Sequence, residues 1–216
     1  MKQMNKVIIF DCDGTVINTY PLIMEAFKKT FKELLPNKVL TQDELNSFFG
    51  PSLRNTFSRY FKEESLNNVI EIYRNYSKEL MPIMLHAFDN IINLLEALKN
   101  KGYHLAILSN KAYDMLLYGL ELANMVNYFE IIIGYEQMSI PKPNPSGLKV
   151  IKEYFGEDLK YYFVGDTLID IETAKNEKDV TSIGVTWCIT KKEDFVNYNT
   201  DFVVDNPLEI LSIVED

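Results

Sequence analysis

Cysteine is scarce in this sequence: Cys12 and Cys188 are the only two among 216 residues, and their spacing pairs with nothing. That excludes a disulfide framework and a zinc knuckle, and it fits a reducing compartment. Positive charge is also in deficit. Lysine and arginine number 22 against 31 aspartates and glutamates, giving a formal charge of -9 and an isoelectric point near 4.9. This balance argues against nucleic acid or an anionic membrane as the main partner, so an anionic ligand must be captured by a local cluster. Long apolar runs are missing too. Met1 to Phe10 offers two lysines and then the four-residue run Val7-Ile8-Ile9-Phe10, too short for a signal-peptide core or a membrane span. A soluble protein with a cytoplasmic address is expected. No internal repeat, low-complexity tract or flexible linker interrupts the chain.

What is present is an ordinary globular composition, 47% hydrophobic and 25% charged, in a chain long enough to bury a real core without disulfides or structural metals. The run Val7 to Phe10 is β-branched and continuous, which reads as a buried parallel strand. Similar runs recur at Leu105 to Leu108, Ile131 to Ile133, Tyr162 to Val164, Ser182 to Val185 and Phe202 to Val204. Helical patterns alternate with them: Asp89 to Asn100, followed by Gly102, then Tyr113 to Ala123, Pro145 to Tyr154 and Ile169 to Lys178. Alternation of this kind predicts an α/β fold with a doubly wound, mostly parallel, Rossmann-like sheet.

From about Thr19 to about Pro82 the alternation stops, and only amphipathic helical patterns appear. Pro21 suits a first helical turn, Thr41-Gln42-Asp43-Glu44 is a capping box, Phe48-Phe49-Gly50-Pro51 breaks that helix, and a further helix is expected from Ser65 to Leu80. The expected organisation is therefore a catalytic α/β core from 1–18 and 83–216 with an inserted all-helical cap from 19–82.

Open parallel sheets bind ligands at the carboxyl ends of their strands, and four polar groups fall there. Asp11-Cys12-Asp13-Gly14-Thr15-Val16 follows the first strand, with two carboxylates one residue apart that suit a nucleophile and an acid-base partner. Ser109-Asn110 follows Leu108 and offers a hydroxyl and backbone donors to a phosphoryl oxygen. Lys142 lies in Ile140-Pro141-Lys142-Pro143-Asn144-Pro145, where flanking prolines present one ammonium from a restricted backbone. Gly165-Asp166-Thr167-Leu168-Ile169-Asp170 follows Val164 and places two acids on one face of a starting helix, a donor set for a hard cation. Taken singly, Asp13 could complete a turn, and Asp166 or Asp170 could cap the helix.

In this order and on these elements, the four groups resemble the signature of the haloacid dehalogenase superfamily of phosphohydrolases. The resemblance implies a helical cap inserted after the first strand and magnesium-dependent hydrolysis of a small phosphorylated metabolite, a phosphomonoester such as phosphoglycolate, or pyrophosphate. It makes Asp11 the nucleophile that becomes phosphorylated and Asp13 the acid and base. It has Thr15, Ser109, Asn110 and Lys142 hold the phosphoryl group, Lys142 also offsetting developing charge. Asp11, the carbonyl of Asp13 and Asp166 would bind Mg2+, with Asp170 binding directly or through water. Gly50-Pro51-Ser52-Leu53-Arg54 resembles the cap segment of the phosphoglycolate phosphatase and pyrophosphatase branch, which makes Arg54 a leaving-group contact; Arg59 is weighed below it, and both could be solvated charges.

The chain departs from the family pattern at Asn18, at Ala174-Lys175-Asn176 and at Cys188, changes expected to lie away from the reacting atoms. His86 and His104 match no motif and read as structural, and Cys12 as a small core residue. A sugar phosphomutase of the same superfamily shares every core residue. A non-catalytic phosphosite-binding module is the alternative of another class, and Asp13 argues against a dehalogenase.

Overall fold

The computed structural model describes residues 5–215, so the start of the N-terminal stretch considered above lies outside the described residues. Strand β1 (Lys6–Phe10) is the first element of the described residues and leads through the two-residue strand β2 (Ile17–Asn18) into four helices: α1 (Tyr20–Leu34), α2 (Gln42–Asn46), α3 (Leu53–Phe57) and α4 (Leu66–Met84). Strand β3 (His86–Ala87) returns the chain by pairing antiparallel with β2, Ile17 opposite Ala87. Then follow α5 (Ile91–Asn100), β4 (His104–Leu108), α6 (Tyr113–Leu122) and β5 (Ile131–Ile133). The last part holds α7 (Ser146–Phe155), β6 (Lys160–Gly165), α8 (Leu168–Lys175), β7 (Val180–Val185), α9 (Lys192–Asn197), β8 (Phe202–Val204) and α10 (Glu209–Glu215).

Six strands form one sheet in the order β5-β4-β1-β6-β7-β8, and each neighbouring pair is parallel. This is the doubly wound α/β fold that the alternation predicts. Successive side chains of a strand face opposite sides, so Ile8 and Phe10 pack with Leu94, Leu95 and Leu98 of α5. Val7 and Ile9 pack with Leu148, Ile151 and Ala174 on the other side. Both faces are covered, which is why the strand reads as an unbroken apolar run.

The helices between β2 and β3 build a separate apolar cluster from Phe27, Phe31, Phe48, Phe57 and Tyr73. The Thr41–Glu44 capping box forms with both of its hydrogen bonds. Helix α4 runs through Pro82 to Met84, beyond the expected Leu80. Helix α5 starts at Ile91, two residues later than Asp89, because Asn90 adopts left-handed backbone at φ 64°. Helix α8 stops at Lys175 rather than Lys178, and Asp179 is left-handed at φ 58° before β7 begins. Helices α3, α9 and α10 are short, so a helical repeat has little room to declare itself in their sequences. In α3 the cap is the Ser52 hydroxyl, which accepts from the Asn55 N–H at 3.3 Å. No helix among the described residues is long and apolar enough to cross a membrane.

Candidate active site

Adjacent strands β4, β1 and β6 lie at the middle of the sheet, and each is followed directly by a polar residue, Ser109, Asp11 and Asp166 respectively. The ladder continues into Asp11, whose N–H donates to the Val164 carbonyl at 2.9 Å. On the far side the Ser109 N–H donates to the Ile133 carbonyl at 2.9 Å. Asp166 follows Gly165 directly at the end of β6. Backbone hydrogen bonding thus sets the spacing of the strand-end side chains before any side-chain contact forms.

Asp11, Asp166 and Asp170 are buried, and one oxygen from each lies within 4.8 Å of the others. Lys142 reaches into them from its loop and donates to Asp11 Oδ1 at 2.7 Å, to Asp170 Oδ1 at 2.6 Å and to the Leu108 carbonyl at 3.2 Å. Asn110 fixes that lysine by its backbone. Its side-chain carbonyl accepts the Lys142 N–H at 2.8 Å, while its amide donates to the Lys142 carbonyl at 3.1 Å and to the Gly50 carbonyl at 3.2 Å. The second Asp170 oxygen accepts from the Thr167 N–H at 3.0 Å and its hydroxyl at 2.7 Å, so the residue also caps α8. Asp166 accepts the Thr15 hydroxyl on Oδ1 at 3.0 Å. Its Oδ2 is buried and has no hydrogen-bond partner among the described residues.

Two glycines make room for this packing. A Cβ on Gly165 would stand 2.2 Å from the Cβ of Asp170, and one on Gly14 would stand 2.3 Å from Asp166 Oδ2. Gly14 also has φ +83°, which disfavours a side chain on its own account.

Lys142 pairs directly with two of these acids, Asp11 and Asp170. Burial pushes Asp11 up from 3.8 to about 7; Lys142 opposes this and the Asp170 charge adds to it. Burial, then Asp170 and Asp11, raise Asp166 well above the ordinary carboxylate range against the pull of Thr15 and the Cys188 thiol. For Lys142 burial acts downward, but Asp11 and Asp170 together outweigh it and hold the ammonium charged.

A cavity of about 480 Å³ opens above the cluster, between the sheet end and the helices of residues 20–84. It brings together Asp11, Asp13, Ser109, Asn110, Lys142, Asp170 and Arg54. Thr15 and Asp166 sit beneath it, fully buried, with Thr15 bracing Asp166. Arg54 lies in the wall, and its guanidinium pairs with Glu63 and donates to Asn67 at 2.8 Å. Arg59 stacks over Phe48 at 4.9 Å and points to Ser47. His86 and His104 lie elsewhere, beside Asn18 and Glu130 respectively. Cys12 is a core residue.

Two further cationic residues at the cavity belong to no motif in the sequence. Lys111 donates to both oxygens of Asp13 at 3.0 Å and fixes that carboxylate at the cavity edge. The partners are 98 positions apart, so the pairing leaves no local pattern; the sole signal is that Lys111 directly follows Ser109-Asn110. Arg74 lines the cavity from α4. One expectation is corrected: Cys188 does not lie away from the site but beside Asp166, where burial and then the Asp166 charge push its thiol well up.

A doubly wound sheet with an acid-lysine cluster at its central strand ends defines a class of hydrolase, and comparison with known proteins agrees. The pattern of the haloacid dehalogenase-like hydrolases matches residues 8–185, and the chain belongs to that family. A pyrophosphatase PpaX from Listeria monocytogenes serotype 4b is 32% identical over 210 residues, 97% of this chain and 96% of the relative. Among solved structures, a haloacid dehalogenase-like family hydrolase from Streptococcus pneumoniae superposes with a TM-score of 0.81 at 27% identity, covering 99% of each chain. A predicted phosphoglycolate phosphatase from Haemophilus somnus gives 0.83 at 22% identity over 99% of each chain, a likeness of fold.

Proposed function

We propose that this phosphatase hydrolyses a small phosphorylated metabolite, a phosphomonoester such as phosphoglycolate, or pyrophosphate, through an aspartyl-phosphate on Asp11, with Mg2+ as the cation. What carries the proposal is Asp11 itself: a buried carboxylate gripped by Lys142 at 2.7 Å at the floor of a cavity of about 480 Å³. The relative named pyrophosphatase supports the pyrophosphate class.

The donor set fits a hard divalent cation. Three carboxylates converge within 4.8 Å, and Asp166 Oδ2 is a buried oxygen without a hydrogen-bond partner among the described residues. Asp11, Asp166 and the carbonyl of Asp13 would hold Mg2+, with Asp170 acting from behind because Lys142 and Thr167 already engage its oxygens. Bound there, the cation would offset repulsion between an anionic nucleophile and an anionic phosphoryl group.

The Asp11 carboxylate attacks phosphorus, the bond from phosphorus to the leaving oxygen breaks, and Asp13 gives that oxygen a proton. Asp13 then takes a proton from water, which attacks the aspartyl-phosphate, releases inorganic phosphate and restores Asp11. Ser109 and Lys142 hold phosphoryl oxygens, Lys142 supplying positive charge where negative charge builds. Asn110 keeps Lys142 in place and Lys111 orients Asp13. We assign residues 1–18 and 83–216 to the catalytic core and 19–82 to a cap, a division supported by the apolar cluster that the helices build, against which Ala112 and Met115 of the core also pack. Arg54, in the cavity wall, contributes to the leaving-group side.

A panel of phosphorylated metabolites assayed with Mg2+, with Ca2+ and in excess chelator tests the proposal. Release of inorganic phosphate with Mg2+, inhibition by Ca2+ and loss of turnover in chelator are expected. Full activity in chelator would remove the metal from the account. Transfer of phosphate to a second position of a sugar phosphate, without net hydrolysis, would identify a mutase instead.

A further inference from the structure

Most of the positive charge in the cavity is already committed. Lys142 is held by Asp11 and Asp170, Lys111 by both oxygens of Asp13, and Arg54 by Glu63 and Asn67. Arg74 differs. It projects from α4 into the same cavity, and its Nε is buried without a hydrogen-bond partner among the described residues. Its ion pair with Glu136 is long, 3.6 Å from Nη2 to Oε1, and Glu136 is itself half exposed. That distance exceeds a normal N–H···O hydrogen bond. The other Glu136 oxygen accepts the Tyr113 N–H at 2.8 Å, so the carboxylate is anchored to the start of α6 and cannot close on Arg74 without giving that up.

A guanidinium has five donors in a rigid fork that matches a carboxylate or phosphate. Leaving a buried donor unpaired is costly, and here the cost falls beside a cavity. Asp11, Ser109 and Lys142 grip only the group being transferred, so discrimination between phosphate substrates must come from the rest of the wall. Much of that wall is apolar: Ile23, Phe49, Leu53, Ile70 and Met115. An anion entering there needs a cation with donors to spare.

We propose that Arg74 recognises the leaving group: its fork receives a second anionic group, a carboxylate or a phosphate, on the departing part of the substrate, and Glu136 stands in for that anion between turnovers. This rests on the phosphatase reading above.

Full-length protein with Mg2+ is assayed on phosphoglycolate, pyrophosphate and p-nitrophenyl phosphate, the first two distinguishing a carboxylate from a second phosphate. In Arg74→Gln and Arg74→Ala, the ratio of kcat/KM for the preferred anionic substrate to that for p-nitrophenyl phosphate should fall roughly tenfold or more. Glu136→Gln should move the ratio the other way, by a factor of about 1.5 to 5, the worth of an exposed ion pair removed as competitor, while its amide oxygen still accepts the Tyr113 N–H. Binding of the same anionic substrates to Mg2+-loaded Asp11→Asn protein, with and without Arg74→Gln, reads the contact without turnover and should weaken by a similar factor. Equal losses on all three substrates, or an unmoved ratio in folded variants, would overturn the proposal. If both Arg74 variants fail to fold, Glu136→Gln decides, because a purely structural pair predicts no gain. If no phosphate compound is turned over, the phosphatase reading has failed instead, and the binding arm still judges Arg74.

Discussion

Burial sets the chemistry of single residues here. With its pKa raised from 3.8 to about 7, chiefly by burial, Asp11 keeps a proton in the folded protein that the unfolded chain gives up. Across that window the unfolded state binds fewer protons, so this group's contribution to stability falls as pH rises and is flat above about 7. Asp166 is shifted the same way. Metal-free protein in chelator should therefore melt at a lower temperature at about pH 7.5 than at about pH 5.5. Added Mg2+ should raise the melting temperature more at the higher pH, because its ligands must be deprotonated. Scanning calorimetry checks both, and a metal-free melting temperature that climbs across this interval would show that the acids are not desolvated as described.

Residues that follow a strand directly were legible without a structure, since Asp11, Ser109 and Asp166 take their places from backbone pairing alone. Lys111, Arg74 and Cys188 were not. Each gains its meaning from an acid on a distant element, Asp13, Glu136 and Asp166 respectively, and a lone lysine or arginine on a helix is ordinarily a solvated charge. Thr15 was legible as a site residue, but its contact was not: its hydroxyl braces Asp166 from below.

At the scale of elements, long amphipathic helices were readable because their apolar spacing repeats several times, and the central strands because burial on both faces makes them unbroken apolar runs, as from Val7 to Phe10. Short elements such as α3 repeat too few times to show. Yet α3 carries a structurally central residue. Phe57 is fully buried, with ring contacts to Phe27, Phe31, Phe61 and Tyr73 at 5.4, 6.2, 6.0 and 5.8 Å. It does not line the cavity. Phe57→Ala should cost about 3 to 5 kcal/mol, the range for truncating a buried aromatic, visible as a lower urea midpoint for unfolding of the protein. A loss under about 1 kcal/mol, the size of a surface change, would mean that the aromatic cluster is not what holds these helices together.

For the whole molecule, the sheet end carries the cluster of Asp11, Asp170 and Lys142, and the helices between β2 and β3 close over it. The two are tied by the β2–β3 pair and by the Asn110 amide, which bonds both Gly50 and Lys142. Residues from both parts of the chain line one cavity. The proposed covalent route depends on Asp11 as nucleophile. The most direct measurement is steady-state turnover by Asp11→Asn protein with Mg2+ and the best substrate found, its intact mass checked to exclude deamidation back to aspartate. Removing the nucleophile should lower kcat by roughly a thousandfold or more, with substrate still binding. Substantial turnover by protein that demonstrably carries asparagine at position 11 would contradict the covalent mechanism.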